Sequence, residues 1–118
     1  SVYEFNTKQL YDNQDFFAQR KLCLVTGIAE PKPLEQYVQS FGNHVETKSY
    51  PDHYSYSETD VKELSALSSE FEIVTTEKDV YKLAEILPKT QLYVIPIMPK
   101  ILFGKQGEWN SLIQEFVN

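Results

Sequence analysis

The chain has 118 residues, 42% of them hydrophobic, with a formal net charge of −6 and a single cysteine. That describes one domain with enough apolar residues for a core, and it is too hydrophobic for disorder. One arginine against ten lysines argues against nucleic acid, whose binding rests on clustered cations, and against a self-contained phosphate site, where Arg is the usual clamp. No apolar run reaches the roughly 18 residues that span a membrane, and no basic start with an apolar stretch reads as a secretory signal. Cys23 sits in an apolar run and is expected to pack as a small hydrophobe, which makes a reducing, cytoplasmic compartment the simplest expectation.

Residues 1–20 stand apart from the rest of the chain. Val2, Tyr3 and Phe5 suit a short strand, and Phe16 and Phe17 either cap the domain or face a missing surface. From Lys21 on, strand-like and helix-like segments alternate, as in a parallel α/β sheet. Lys21–Thr26 is a nearly continuous apolar run, expected of a strand buried on both faces. After Gly27, Pro31 and Pro33 suit a loop and a first helical turn. Leu34, Tyr37, Val38 and Phe41 then fall on one helical face, and Gly42 is a C-terminal stop.

A weaker, charged strand from His44 to Tyr50 suits a sheet edge. Ser57 with Asp60 reads as a variant capping box, opening a helix that carries Val61, Leu64 and Leu67. Phe71–Thr75 is a third strand. Val80, Leu83, Ala84 and Leu87 mark the next helix, which Pro88 ends. Leu92–Ile95 is a fourth strand running into Pro96 and Pro99, and Trp109, Leu112, Ile113 and Phe116 make a last amphipathic helix. The expected fold class is α/β, a three-layer Rossmann-like lobe of about four mostly parallel strands flanked by helices. Numbered from Lys21, the expected strand order is 2-1-3-4. The switch point then lies between the strands at 21–26 and 71–75, where α/β sheets bind ligands.

That edge collects the chemistry. The Gly27 turn has neither GxGxxG nor GxxxxGK[ST], so it is neither a dinucleotide fingerprint nor a P-loop, and it reads equally as a plain strand-to-helix turn. Tyr50-Pro51-Asp52-His53-Tyr54 sets a carboxylate beside an imidazole, a pairing that can orient a His and set its tautomer. Adjacent side chains usually point apart, so the partner of His53 is expected elsewhere. A solvated loop explains the same residues. In Thr75-Thr76-Glu77-Lys78-Asp79, Thr76 as N-cap with Asp79 at N3 accounts for most of the residue choices. Capping leaves Lys78 unexplained, because the helix dipole disfavours a cation there; it is either tolerated in solvent or kept to meet an anion. His44 is expected to be structural or solvated. No Cys/His cluster has metal spacing, and no serine sits in a nucleophile elbow.

Three motifs in series, Gly27-Ile28-Ala29-Glu30-Pro31, Tyr50-Pro51-Asp52-His53 and Thr76-Glu77-Lys78-Asp79, resemble the C-terminal half of the tetraacyldisaccharide 4′-kinase family, over roughly residues 21–100. These are the lipid A kinases of Gram-negative bacteria. The resemblance implies an ATP- and Mg²⁺-dependent enzyme that phosphorylates the 4′-hydroxyl of a lipid A disaccharide precursor at the cytoplasmic face of the inner membrane. It implies two α/β lobes, with residues 1–20 an extension or linker to a missing N-terminal P-loop lobe and 21–118 the C-terminal lobe. His53 is then the catalytic candidate, supporting an Asp of the other lobe, with Asp52 assisting it. Gly27, Thr76, Glu77, Lys78 and Asp79 form a substrate or nucleotide rim, and the metal ligands lie in the other lobe. Many relatives have a second His where this chain has Tyr54, so His53 is the one candidate. The chain alone is expected to be inactive and to bind no ATP. The alternative from another class is a freestanding α/β binding or regulatory module. Receiver-like domains need an acidic pair after the first strand, and Val25-Thr26-Gly27 supplies none.

Overall fold

A computed structural model describes residues 1–41 and 44–96. The Gly42 stop, Pro99 and the helix expected on Trp109, Leu112, Ile113 and Phe116 lie outside the described residues. In chain order the elements are β1 (Val2–Glu4), β2 (Leu10–Tyr11), α1 (Asn13–Ala18), β3 (Leu22–Thr26), α2 (Lys32–Gln39), β4 (Val45–Ser49), α3 (Glu58–Leu67), β5 (Glu72–Thr76), α4 (Val80–Ile86) and β6 (Leu92–Ile95).

The strands form one six-stranded sheet in the order β2-β1-β6-β5-β3-β4. Strands β4, β3, β5 and β6 are mutually parallel, in the 2-1-3-4 order that the alternation predicts. The sequence reading stops at about four strands. The short strand expected on Val2, Tyr3 and Phe5 forms as β1, and the structure adds β2; the two are antiparallel to each other, with β1 also antiparallel to β6. Residues 1–20 are therefore built into the sheet and core. Phe16 and Phe17 are fully buried and cap the domain.

The sheet divides the core in two because strand side chains alternate faces. Leu22 and Leu24 of β3 join Phe16 and Phe17 of α1 and Leu34 and Val38 of α2 on one side. Cys23 and Val25 join Leu64 of α3 and Val80 and Leu83 of α4 on the other. This is the expected three-layer α/β arrangement. Cys23 lies buried in the middle of it, and burial pushes its thiol up to about 11, as suits a packing residue. Strand β4 is the charged edge, tied to α3 by Lys48 and Glu63 at 2.6 Å.

Parallel register puts the strand ends in one row. Thr26 is opposite Ser49, and Thr76 is opposite Ile95. Gly27, Tyr50-Pro51 and Glu77 consequently leave the sheet from the same edge.

Candidate functional site

Three strand-to-helix turns meet at this edge. The β3–α2 turn begins at Gly27, whose N–H donates to Asp79 Oδ2 at 3.0 Å. A Cβ at Gly27 would meet Asp79 Oδ1 at 3.2 Å and the Pro51 carbonyl oxygen at 3.5 Å. A larger residue at Gly27 would press on the Asp79 carboxylate. Asp79 is 5% exposed, and its Oδ2 also accepts from the Thr76 hydroxyl at 2.7 Å.

The cap expected at Thr76 takes another form. Helix α4 begins at Val80, and Asp79 occupies the N-cap position without a side-chain capping bond. Thr76 Oγ1 accepts from the Asp79 N–H at 3.2 Å, so the threonine holds the turn. The Asp79 carboxylate is drawn instead to Gly27, 52 residues away in sequence.

Lys78 meets its anion within the chain. Its ammonium donates to Asp52 Oδ1 and to the Gly27 carbonyl oxygen, the latter at 3.1 Å. The hydrogen bond from Lys78 holds the Asp52 carboxyl below the usual carboxylate range. His53 comes next with φ 61°, left-handed backbone that a non-glycine residue rarely adopts. Its side chain is 88% exposed, and its Nε2 lies 3.6 Å from Asp52 Oδ2. Within the chain its near neighbour is Asp52, at a separation longer than a hydrogen bond, and the exposed ring stays open to a partner elsewhere. Glu77 points away from this group and accepts from the Tyr3 hydroxyl at 3.2 Å. Gly27, Asp52, His53, Thr76, Lys78 and Asp79 are thus brought together, and Glu77 is not.

Sequence reasoning passed over the aromatic wall. Tyr50, Tyr54 and Tyr56 pack with ring centroids 5.0 to 5.6 Å apart. Tyr54 donates to Asp60 at 2.6 Å, and Lys82 Nζ donates to the Tyr54 carbonyl oxygen at 2.9 Å. The Tyr50 hydroxyl is buried with no partner among the described residues, and burial pushes its pKa far above the usual tyrosine value. Burial, with the nearby Asp79 charge, pushes Tyr56 up to about 12. The repetition of Tyr at 50, 54 and 56 was the available signal. Tyr54 and Tyr56, with Tyr81 and Lys82, line a cavity of about 130 Å³ beside Gly27 and His53. Ligand pockets commonly run roughly 300–1,000 Å³, so this cavity is small for a whole ligand.

The polar groups of the rim are largely committed to one another. Among the described residues no group of three or more His, Cys, Asp or Glu stands where it would hold a metal ion. The Gly27 N–H is taken by Asp79, and Lys78 is taken by Asp52. What the edge offers outward is an exposed imidazole on a braced loop.

Comparison with known proteins gives these residues a setting. The family model described as tetraacyldisaccharide-1-P 4′-kinase matches residues 2–118. The chain is 32% identical over 91 residues to a tetraacyldisaccharide 4′-kinase of Flavobacterium johnsoniae, covering 77% of this chain and 26% of that protein. It is 33% identical over 107 residues to one from Bacteroides thetaiotaomicron, covering 81% and 28%. It is 31% identical over 116 residues to one from Cytophaga hutchinsonii, covering 90% and 32%. The chain therefore spans about a quarter to a third of the length of these curated relatives. No solved structure matches it.

Proposed function

The chain belongs to the tetraacyldisaccharide-1-P 4′-kinase family, and on that premise we propose that it is the C-terminal lobe of a lipid A 4′-kinase. The whole enzyme transfers the γ-phosphate of ATP to the 4′-hydroxyl of a tetraacyldisaccharide 1-phosphate at the cytoplasmic face of the inner membrane. The observation that carries this reading is a family match running from residue 2 to 118 in a chain that covers only 26–32% of its relatives. The absence of GxxxxGK[ST] from the sequence supports assigning the phosphate-binding loop and Mg²⁺ to a second, N-terminal lobe, since phosphoryl transfer needs both.

In this reading His53 works across the lobe interface, supporting an acid of the other lobe. Its exposure and its place on the ligand-side edge favour that role over a packing role.

The test is a transfer assay with ATP, Mg²⁺ and a tetraacyldisaccharide 1-phosphate. The parent protein is expected to transfer phosphate, and the 118-residue chain is not. In the parent, His53→Ala is expected to lower kcat by about 10²–10⁴-fold, with a smaller change in KM for ATP. Stability should stay within about 0.5 kcal/mol, as for an exposed loop residue. A parent protein without transfer, or transfer by the chain alone, overturns the reading. A near-normal kcat in the variant removes His53 from it.

A further inference from the structure

The Gly27 N–H and the Thr76 hydroxyl account for the Asp79 carboxylate, which leaves Lys78, a cation at the entrance of α4 where the dipole opposes it. The contacts of Lys78 supply the missing reason. Its ammonium grips the Gly27 carbonyl while Asp79 of the same turn accepts the Gly27 N–H. The β5–α4 turn thus holds both polar groups of one glycine in the β3–α2 turn. The remaining reach of Lys78 goes to Asp52, in the β4–α3 loop. One side chain therefore joins all three turns of the ligand-side edge.

The loop it reaches needs such a tie. Tyr50 N–H donates to the Thr26 carbonyl at 2.8 Å, fixing where the loop starts. Lys82 fixes the Tyr54 carbonyl at its other end. Between these anchors His53 sits in left-handed backbone, a conformation that persists only where its surroundings hold it. The Tyr54 N–H closes the turn onto the Pro51 carbonyl at 3.2 Å, and Lys78 adds the side-chain hold on Asp52, the residue next to His53. An ion pair this exposed adds little to stability, so geometry is the better account of why it is there.

We propose that Lys78 is a positioning residue for phosphoryl transfer: shared between the Asp52 carboxylate and the Gly27 carbonyl, it locks the three edge turns together and sets where His53 stands. This rests on the role of His53 across the lobe interface. Arg is no equal substitute, because its planar fork cannot grip a carbonyl and a carboxylate from one point as an ammonium does.

Two measurements test it. In the 118-residue chain, NMR relaxation of the backbone amides at Asp52, His53 and Tyr54 is compared between the native protein and Lys78→Met. Greater motion confined to these amides is expected, with β3 and β5 unchanged. In the parent enzyme, Lys78→Met and Asp52→Asn are each expected to lower kcat by about 10- to 100-fold, the scale of a small misplacement of a reacting group. KM for ATP should change by about twofold or less. The double variant should lose no more than either single one, since both break the same tie, and Lys78→Arg should recover part of the loss. Unchanged amide motion, or losses that add in the double variant, overturns the proposal. The two readings separate cleanly. If His53→Ala keeps full kcat while Lys78→Met loosens the loop, the role of His53 fails and the tie stands. If His53→Ala is crippled while the loop stays ordered without Lys78, the role of His53 stands and the tie fails.

Discussion

At the scale of single residues, the Asp79 carboxylate has the most to lose. It is nearly fully buried and accepts from the Gly27 N–H and the Thr76 hydroxyl through one oxygen. Asp79→Ala leaves that N–H buried and unpaired, which typically costs about 1–3 kcal/mol. Asp79→Asn keeps an acceptor oxygen in the same place and should cost less. Urea denaturation of the two variants checks the order, and equal losses would mean that charge, not the Gly27 bond, is what counts. The tyrosines make a second prediction. Burial is the leading cause that lifts Tyr3, Tyr56 and Tyr93 to about 12 and Tyr50 higher still. The sign follows from linkage. A raised folded pKa keeps its full stabilising effect below the unfolded value of about 10 and loses it as pH climbs through the folded values. Absorbance titration should therefore show a delayed group of tyrosines, with stability falling between about pH 10 and 12. All eight ionising together near pH 10 in the folded protein would refute this.

At the scale of elements, α3 carries the chain's clearest local signal. Ser57 Oγ accepts from the Asp60 N–H at 3.1 Å, and Asp60 Oδ2 accepts from the Ser57 N–H at 2.9 Å, the reciprocal box that satisfies two orphan helix donors. Ser57→Ala should cost about 1 kcal/mol, the usual effect of an N-cap loss, measured as a lower denaturation midpoint with an unchanged slope. This box was legible in the sequence because both partners lie three residues apart. Strands β3, β5 and β6 were legible for a similar reason, since each announces itself in an apolar run between turn residues, whereas the charged β4 was legible from its place in the alternation. Thr76 and Asp79 show where legibility ends. They also lie three residues apart, and capping predicts their type, yet the partner that redirects the carboxylate is Gly27, far away in sequence. The same holds for Lys78 with Asp52, where an unmet anion was foreseeable and its identity was not. The short strand expected at Val2, Tyr3 and Phe5 is β1 (Val2–Glu4), but two-residue β2 is too short to show a period, and the pairing of β1 with β6 and of β2 with β1 joins residues far apart or unpatterned in sequence.

At the scale of the whole molecule, that short N-terminal segment decides whether one face of the sheet is covered. Val2, Phe16 and Phe17 have no exposed surface and pack on Leu22, Leu24, Val74 and Tyr93. Fully burying such side chains is worth roughly 1.5–3 kcal/mol each, so three of them approach the whole stability of a small domain, about 5–15 kcal/mol. Removing residues 1–19 strips this cover and leaves β6 with an open edge, which invites association. A variant beginning at Arg20 is therefore expected to lose its cooperative thermal transition and its near-ultraviolet circular dichroism, and to aggregate. Phe17→Ala should be milder, lowering stability by about 3–5 kcal/mol while keeping a single transition. If the shortened variant melts cooperatively within a few degrees of the full chain, residues 1–19 are a dispensable arm, and the lobe proper begins at β3.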